Sequence, residues 1–109
     1  MKKINRVRKS QEFQKLIHTG RKSVNASFVF YHTARAEQQA RIGISLSKKM
    51  GNAVERNKIK RQVRMMCQDL IDFENYPADG ILIVRYGYKS LRFEENKKNL
   101  EKLLLKATM

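Results

Sequence analysis

The chain of 109 residues carries 24 Lys or Arg against 10 Asp or Glu, a formal net charge of +14 that opposes compaction and favours nucleic acid or an anionic membrane. No apolar run approaches the ~20 residues needed to span a bilayer, and the single cysteine, Cys67, excludes an intrachain disulfide or a cysteine metal cluster. The length fits one domain, residues 1–109, and the charged amino terminus leads into no apolar signal core, so a cytoplasmic address is expected.

Residues 1–9 are basic and short of apolar side chains, and read as a partly flexible arm that orders on the globule or on RNA. Ser10 is placed to cap a short amphipathic helix carrying Phe13, Leu16 and Ile17, with Gly20 at its end. Residues 26–34, rich in aromatic and β-branched types, predict a strand with Phe28 and Phe30 on one side and Val29 and Tyr31 on the other. A polar connection follows. Residues 41–47 then alternate: Ile42, Ile44 and Leu46 face one way and Arg41, Gly43, Ser45 and Ser47 the other, a small polar face that a ligand backbone could approach closely.

Residues 45–64, SLSKKMGNAVERNKIKRQVR, hold seven basic residues and one acid, Glu55. Gly51 and Asn52 supply a turn and an N-cap, and no Gly or Pro interrupts the chain from Ala53 until Pro77. At about 100° per residue, Ile59, Val63, Met66 and Leu70 fall in one arc of the resulting helix, and Asn57, Lys60, Arg61 and Arg64 in another. Like charges three or four residues apart repel, and Glu55 alone is at hand to relieve them. A polyanion supplies the missing neutrality. Cys67, beside the apolar arc, reads as an ordinary semi-buried thiol.

Residues 75–80 have turn chemistry. Residues 81–84 are a continuous apolar run, expected of a strand covered on both faces. After a loop over 86–92, a last helix from about Phe93 carries Leu100, Leu103, Leu104 and Ala107 on one side. The order α-β-β-α-β-α predicts an α+β fold, a two-layer sandwich of helices on a sheet. Nothing points to chemistry carried by the chain alone: His18 and His32 read as surface histidines, and Asp69, Asp72 and Glu74 have no paired-carboxylate or metal-site spacing.

The run 56–64, RNKIKRQVR, preceded by 47–54, SKKMGNAV, resembles the signature of the protein subunit of bacterial ribonuclease P. The resemblance extends through residues 6–9, Glu12 and Phe13, residues 28–31 and 41–45, and so covers nearly the whole chain. It implies about four strands and three helices, similar to the second domain of ribosomal protein S5, with a left-handed βαβ crossover that the usual handedness rule would not suggest. It also implies a division of labour in which a catalytic RNA subunit, using Mg²⁺ bound mainly by the RNA, hydrolyses a phosphodiester and releases the 5′ leader of precursor tRNA.

The protein, on this resemblance, has no catalytic residue and is inactive alone. Its expected partners are the RNA subunit, one protein per RNA, and the leader, with neither membrane nor DNA. Arg56, Asn57, Lys58, Lys60, Arg61 and Arg64 match the family's RNA-subunit motif, with Arg56 nearer the apolar flank. Phe13 and Tyr31 match aromatic positions of the leader cleft, and Lys48 and Lys49 its basic wall. Ile17 departs from the pattern, standing where relatives often carry a second aromatic. The alternative is a ribosomal or RNA-chaperone module that uses the same basic helix without guiding a cleavage.

Overall fold

In a computed structural model, residues 1–7 and 9–108 are described. They form helix α1 (Ser10–Thr19), strands β1 (Arg21–Val24), β2 (Phe28–Ala34) and β3 (Ile42–Leu46), helix α2 (Ala53–Leu70), strand β4 (Ala78–Val84) and helix α3 (Phe93–Lys106). Short 3₁₀ turns stand at Lys3–Asn5, Lys48–Met50 and Tyr86–Ser90.

The four strands make one mixed sheet in the order β1-β2-β4-β3, antiparallel except for β3 and β4, which run parallel and are joined by α2 as the crossover. The most apolar strand, β4, lies inside, where both its edges are paired and both its faces are covered except at half-exposed Ile83. Alternation along the strands sorts side chains to two layers. On one face Phe28, Phe30, Ile42, Leu82 and Val84 pack under α2 and α3, against Val63, Met66, Leu100 and Leu103. On the other, Ile81 is enclosed by Leu16 of α1 and Val7, with Phe13, Ile17 and Ile83 around them. The α+β fold of three helices and four strands is as expected, with α2 and α3 on one face of the sheet and α1 on the other rather than all helices in a single layer.

Several local expectations are revised. The strand predicted over 26–34 begins at Phe28, and residues 21–24 form an additional strand that the residue pattern concealed. β1, Arg-Lys-Ser-Val, is mostly exposed at the sheet edge, so no apolar alternation marks it, and its lysine suits an edge that should not recruit another chain. Ser10 is the first helical residue rather than the cap; the cap position falls to Lys9, which makes no side-chain capping bond. Gly20 ends the helix as expected, its N–H donating to the Leu16 carbonyl at 2.8 Å, but at an ordinary φ of −77°.

Residues 1–7 of the expected arm lie on the globule. The Asn5 amide donates to Gln39 Oε1 at 2.9 Å and to the Ala40 carbonyl at 3.1 Å, while Val7 N–H donates to the Ile42 carbonyl at 3.4 Å. The arm covers the outer edge of β3, satisfying backbone groups that an edge strand leaves open. Arg8 lies outside the described residues.

Two side chains are more deeply placed than expected. Cys67 is 0% exposed rather than semi-buried, and burial pushes its thiol up to about 12. His32 is no surface histidine: at 9% exposure it packs on Phe30 with ring centroids 5.3 Å apart. Burial lowers its pKa, and neighbouring Arg21 lowers it further. His18 is exposed as expected.

Candidate RNA interface

The entry to α2 is set by three consecutive residues. Met50 is buried and anchors the preceding 3₁₀ turn. Gly51 takes φ +135°, a conformation that side chains disfavour, and a Cβ there would come within 2.8 Å of the Glu55 carboxylate. Asn52 Oδ1 then accepts from Glu55 N–H at 2.9 Å, the N-cap that the sequence predicts.

Along the helix the inner arc is seated as expected, with Ile59, Val63 and Met66 buried and Leu70 half-buried. Of the motif residues, Asn57, Lys58 and Arg61 are exposed and Arg56, Lys60 and Arg64 half-buried. Arg56 does sit toward the apolar flank, where its Nε is buried with no hydrogen-bond partner among the described residues.

The ion pairs among the described residues join Arg41 to Glu12 and Asp79, Lys89 to Glu55, and Lys97 to Asp69. None involves the five cations of the motif. Glu55, the one acid within residues 45–64, is turned to Lys89 at 3.3 Å instead. The helix therefore presents an uncompensated positive face, the arrangement that binds phosphates and releases their counterions.

A second set of residues gathers on the opposite face of the sheet. The pairing register places Lys22, Tyr31, Ile81 and Gly43 in one row across the four strands, and Val24, Val29, Ile83 and Ser45 in the next. α1 lies over the first row: the Phe13 ring presses on Gly43, where a Cβ would meet Phe13 Cζ at 2.6 Å. The small face of β3 is thus occupied in part by the protein's own aromatic ring.

The second row is left partly open. Val24 is exposed, and Val29, Ile83 and Ser45 are half-exposed. Beside it Lys22 Nζ stands 5.8 Å from the Tyr31 ring centroid. Lys48 and Lys49 are exposed in the turn that leaves β3, held there by a bond from Lys49 N–H to Ser47 Oγ at 3.1 Å.

Of the candidate cleft residues, then, Phe13 and Tyr31 share a sheet face and Lys48 and Lys49 stand at the end of the strand beside it. Ile17 packs with Leu16 and Ile81, an apolar contact in place of a ring. The strip of Val24, Val29, Ile83 and Ser45, with Lys22 beside it, was not legible in the sequence, because only the register brings these residues together. The two sites meet around the β3 edge, where Arg64 of α2 and Phe13 of α1 line one cavity of about 80 Å³.

The family model described as Ribonuclease P matches residues 1–108. The chain belongs to the ribonuclease P protein family. Among relatives, the ribonuclease P protein component of Bacillus velezensis is 41% identical over 110 residues, covering 100% of this chain and 94% of the relative. That of Streptococcus pyogenes serotype M5 is 38% identical, covering 95% and 87%.

Solved ribonuclease P proteins share the fold. A Staphylococcus aureus ribonuclease P protein mutant, described as defective in mRNA degradation activity, superposes with a TM-score of 0.86 at 35% identity, covering 97% of this chain and 90% of that one. The Thermotoga maritima protein gives 0.76 at 26%, covering 91% and 94%. As a ribonuclease P protein, the chain is an RNA-binding subunit of a Mg-dependent ribonucleoprotein endoribonuclease and assists removal of the tRNA 5′ leader. Its partners are the ribonuclease P RNA and the tRNA substrate. No helix among the described residues is long and apolar enough to cross a membrane.

Proposed function

We propose that the two faces of the sheet hold two different RNAs. Arg56, Asn57, Lys58, Lys60, Arg61 and Arg64 hold the catalytic RNA subunit, and Phe13, Tyr31, Lys48 and Lys49 hold the 5′ leader of precursor tRNA. The observation that carries the first assignment is that no acidic side chain among the described residues pairs with the motif cations. Arg and Lys grip phosphate, while Asn57 adds a donor and an acceptor for sugar or base edges.

The leader assignment rests on aromatic and basic groups beside an open apolar strip. Stacking on a ring tolerates every base, as substrates with different leaders require. The chain, one domain over residues 1–109, works in the cytoplasm with one protein per RNA, and neither membrane nor DNA is a partner. No side chain of the protein is catalytic. The Mg²⁺ ions are held mainly by the RNA.

Reconstitution tests this reading. Purified protein alone should leave precursor tRNA intact, and addition of the RNA subunit and Mg²⁺ should give accurate 5′ cleavage at near-physiological salt. Cleavage by RNA-free protein would overturn the accessory role. Binding of RNA with no gain in 5′ maturation would favour a general RNA-chaperone module instead.

A further inference from the structure

The segment Arg85-Tyr86-Gly87-Tyr88-Lys89 leaves β4 as a 3₁₀ turn and uses its two tyrosines in opposite ways. Tyr88 is buried, its ring edge-on to Phe28 at 5.8 Å, and its hydroxyl donates to Gln62 Oε1 of α2 at 2.8 Å. Its carbonyl accepts from Asn96 Nδ2 of α3 at 3.0 Å. Gly87 lets the turn press on the β1–β2 hairpin, since a Cβ there would lie 2.5 Å from the Ala26 carbonyl oxygen. Arg85 Nη1 donates to the Asn25 carbonyl at 2.7 Å. The turn is thus fastened to α2, α3 and the hairpin, and on this fixed base Tyr86 stands 66% exposed.

A single exposed aromatic needs no explanation by itself. Tyr86 is distinguished by its neighbours. Lys89 Nζ stands over its ring, 5.6 Å from the centroid. Lys89 also lines, with Lys58 of the basic motif, Ile59, Tyr88 and Phe93, a groove of about 270 Å³ between α2 and the turn. Groove and motif helix are therefore one continuous surface. The carboxylate in it, Glu55, pairs with Lys89 at 3.3 Å, but both side chains are well exposed, so a phosphate can displace the pair at small cost.

We infer that Tyr86 and this groove take an unpaired nucleotide of the RNA subunit, with the Tyr86 ring stacked on the base and Lys58 and Lys89 beside the phosphates. This rests on the reading of α2 as the RNA-subunit face and extends that face past the motif. The nucleotide is unpaired because a ring stacks only on a base whose face is free. It belongs to the RNA subunit rather than the leader because the groove continues α2, whereas the open strip of the cleft lies across the sheet from α2.

The test measures RNA-subunit affinity at fixed salt. Tyr86→Ala should weaken it roughly 5- to 150-fold, the span of one base–aromatic stack, with no change in thermal midpoint; Tyr86→Phe should stay within about twofold. Because the chain has no tryptophan, Tyr86→Trp places a single indole at the site, and its fluorescence should be quenched by the RNA subunit alone. Wild-type affinity in Tyr86→Ala would overturn the inference. So would an indole that responds only when precursor tRNA bearing a leader is added, which would assign the ring to the leader. The Lys60→Ala, Arg61→Ala, Arg64→Ala triple variant separates the two readings. If the triple variant loses affinity and Tyr86→Ala does not, this inference fails alone; if it keeps full affinity, the α2 reading fails and this one with it.

Discussion

The ring of Phe13 lies on the backbone of Gly43, so close that one added carbon at Gly43 would reach Phe13 Cζ at 2.6 Å. Gly43→Ala should push the ring tip aside without unfolding the chain, because the obstructed atom is the far end of a side chain on a half-buried helix face. The expected stability loss is about 1 kcal/mol, at the low end for overpacking. Preference for precursor over mature tRNA should fall roughly tenfold, the scale of one lost stack. Equilibrium binding of the two tRNAs to the reconstituted holoenzyme, with thermal melting of the protein, checks both.

Salt dependence gives the second prediction. With about four side chains displacing counterions, log affinity for the RNA subunit should fall against log salt with a slope near −3 to −4. Lys60→Ala, Arg61→Ala and Arg64→Ala together should bring it near −1 by the same estimate. The thermal midpoint should hold, since none of the three takes part in an ion pair among the described residues. An unchanged slope would show that phosphate lies elsewhere.

Cys67 sets a third expectation. Its thiol is buried and pushed up to about 12, because burial penalises the thiolate that does the reacting. In the folded protein at pH 8 it should resist alkylation for as long as the chain stays folded, and should react at once in denaturant. Mass spectrometry of both samples checks this, and rapid labelling of the native chain would contradict the packing of α2.

His32 supplies a pH dependence with a definite sign. Burial and Arg21 lower its pKa in the fold, so near and below the ordinary value of about 6.5 the unfolded chain binds a proton more readily. The stability associated with neutral His32 is fully present above about pH 6.5 and is lost as pH falls through the lower folded value. His32→Phe keeps a ring against Phe30 and removes the titration. Urea midpoints at pH 7 and pH 5 should therefore converge more in the variant than in the wild type.

How much of this was written in the sequence depends on the range over which each residue acts. The cap at Asn52, the turn at Gly51 and the two arcs of α2 are local, governed by residues within one or two helical turns, and they could be read directly. β1 could not, because an edge strand of Arg, Lys, Ser and Val owes its existence to its pairing with β2. The buried polar cluster was equally hidden. Ser27 Oγ donates to Asn96 Oδ1 at 2.6 Å and accepts from Asn99 Nδ2 at 2.9 Å, across about seventy residues of chain. His32, by contrast, shares the buried face of β2 with Phe28 and Phe30, and its alternation with them was the local signal that placed it inside. The motif cations were legible as a set, whereas the strip of Val24, Val29, Ile83 and Ser45 exists only through the register.

β4 has a consequence for how this molecule can fail. Ile81 and Ile83 serve one layer, Leu82 and Val84 the other, and neighbours grip the strand along both edges. Sliding it by a single position would turn every one of these side chains to the wrong layer and break both ladders together. Intermediate, half-competent alignments are therefore closed to the chain: damage to the central strand should remove folded molecules from the population while those that remain keep both proposed RNA surfaces whole.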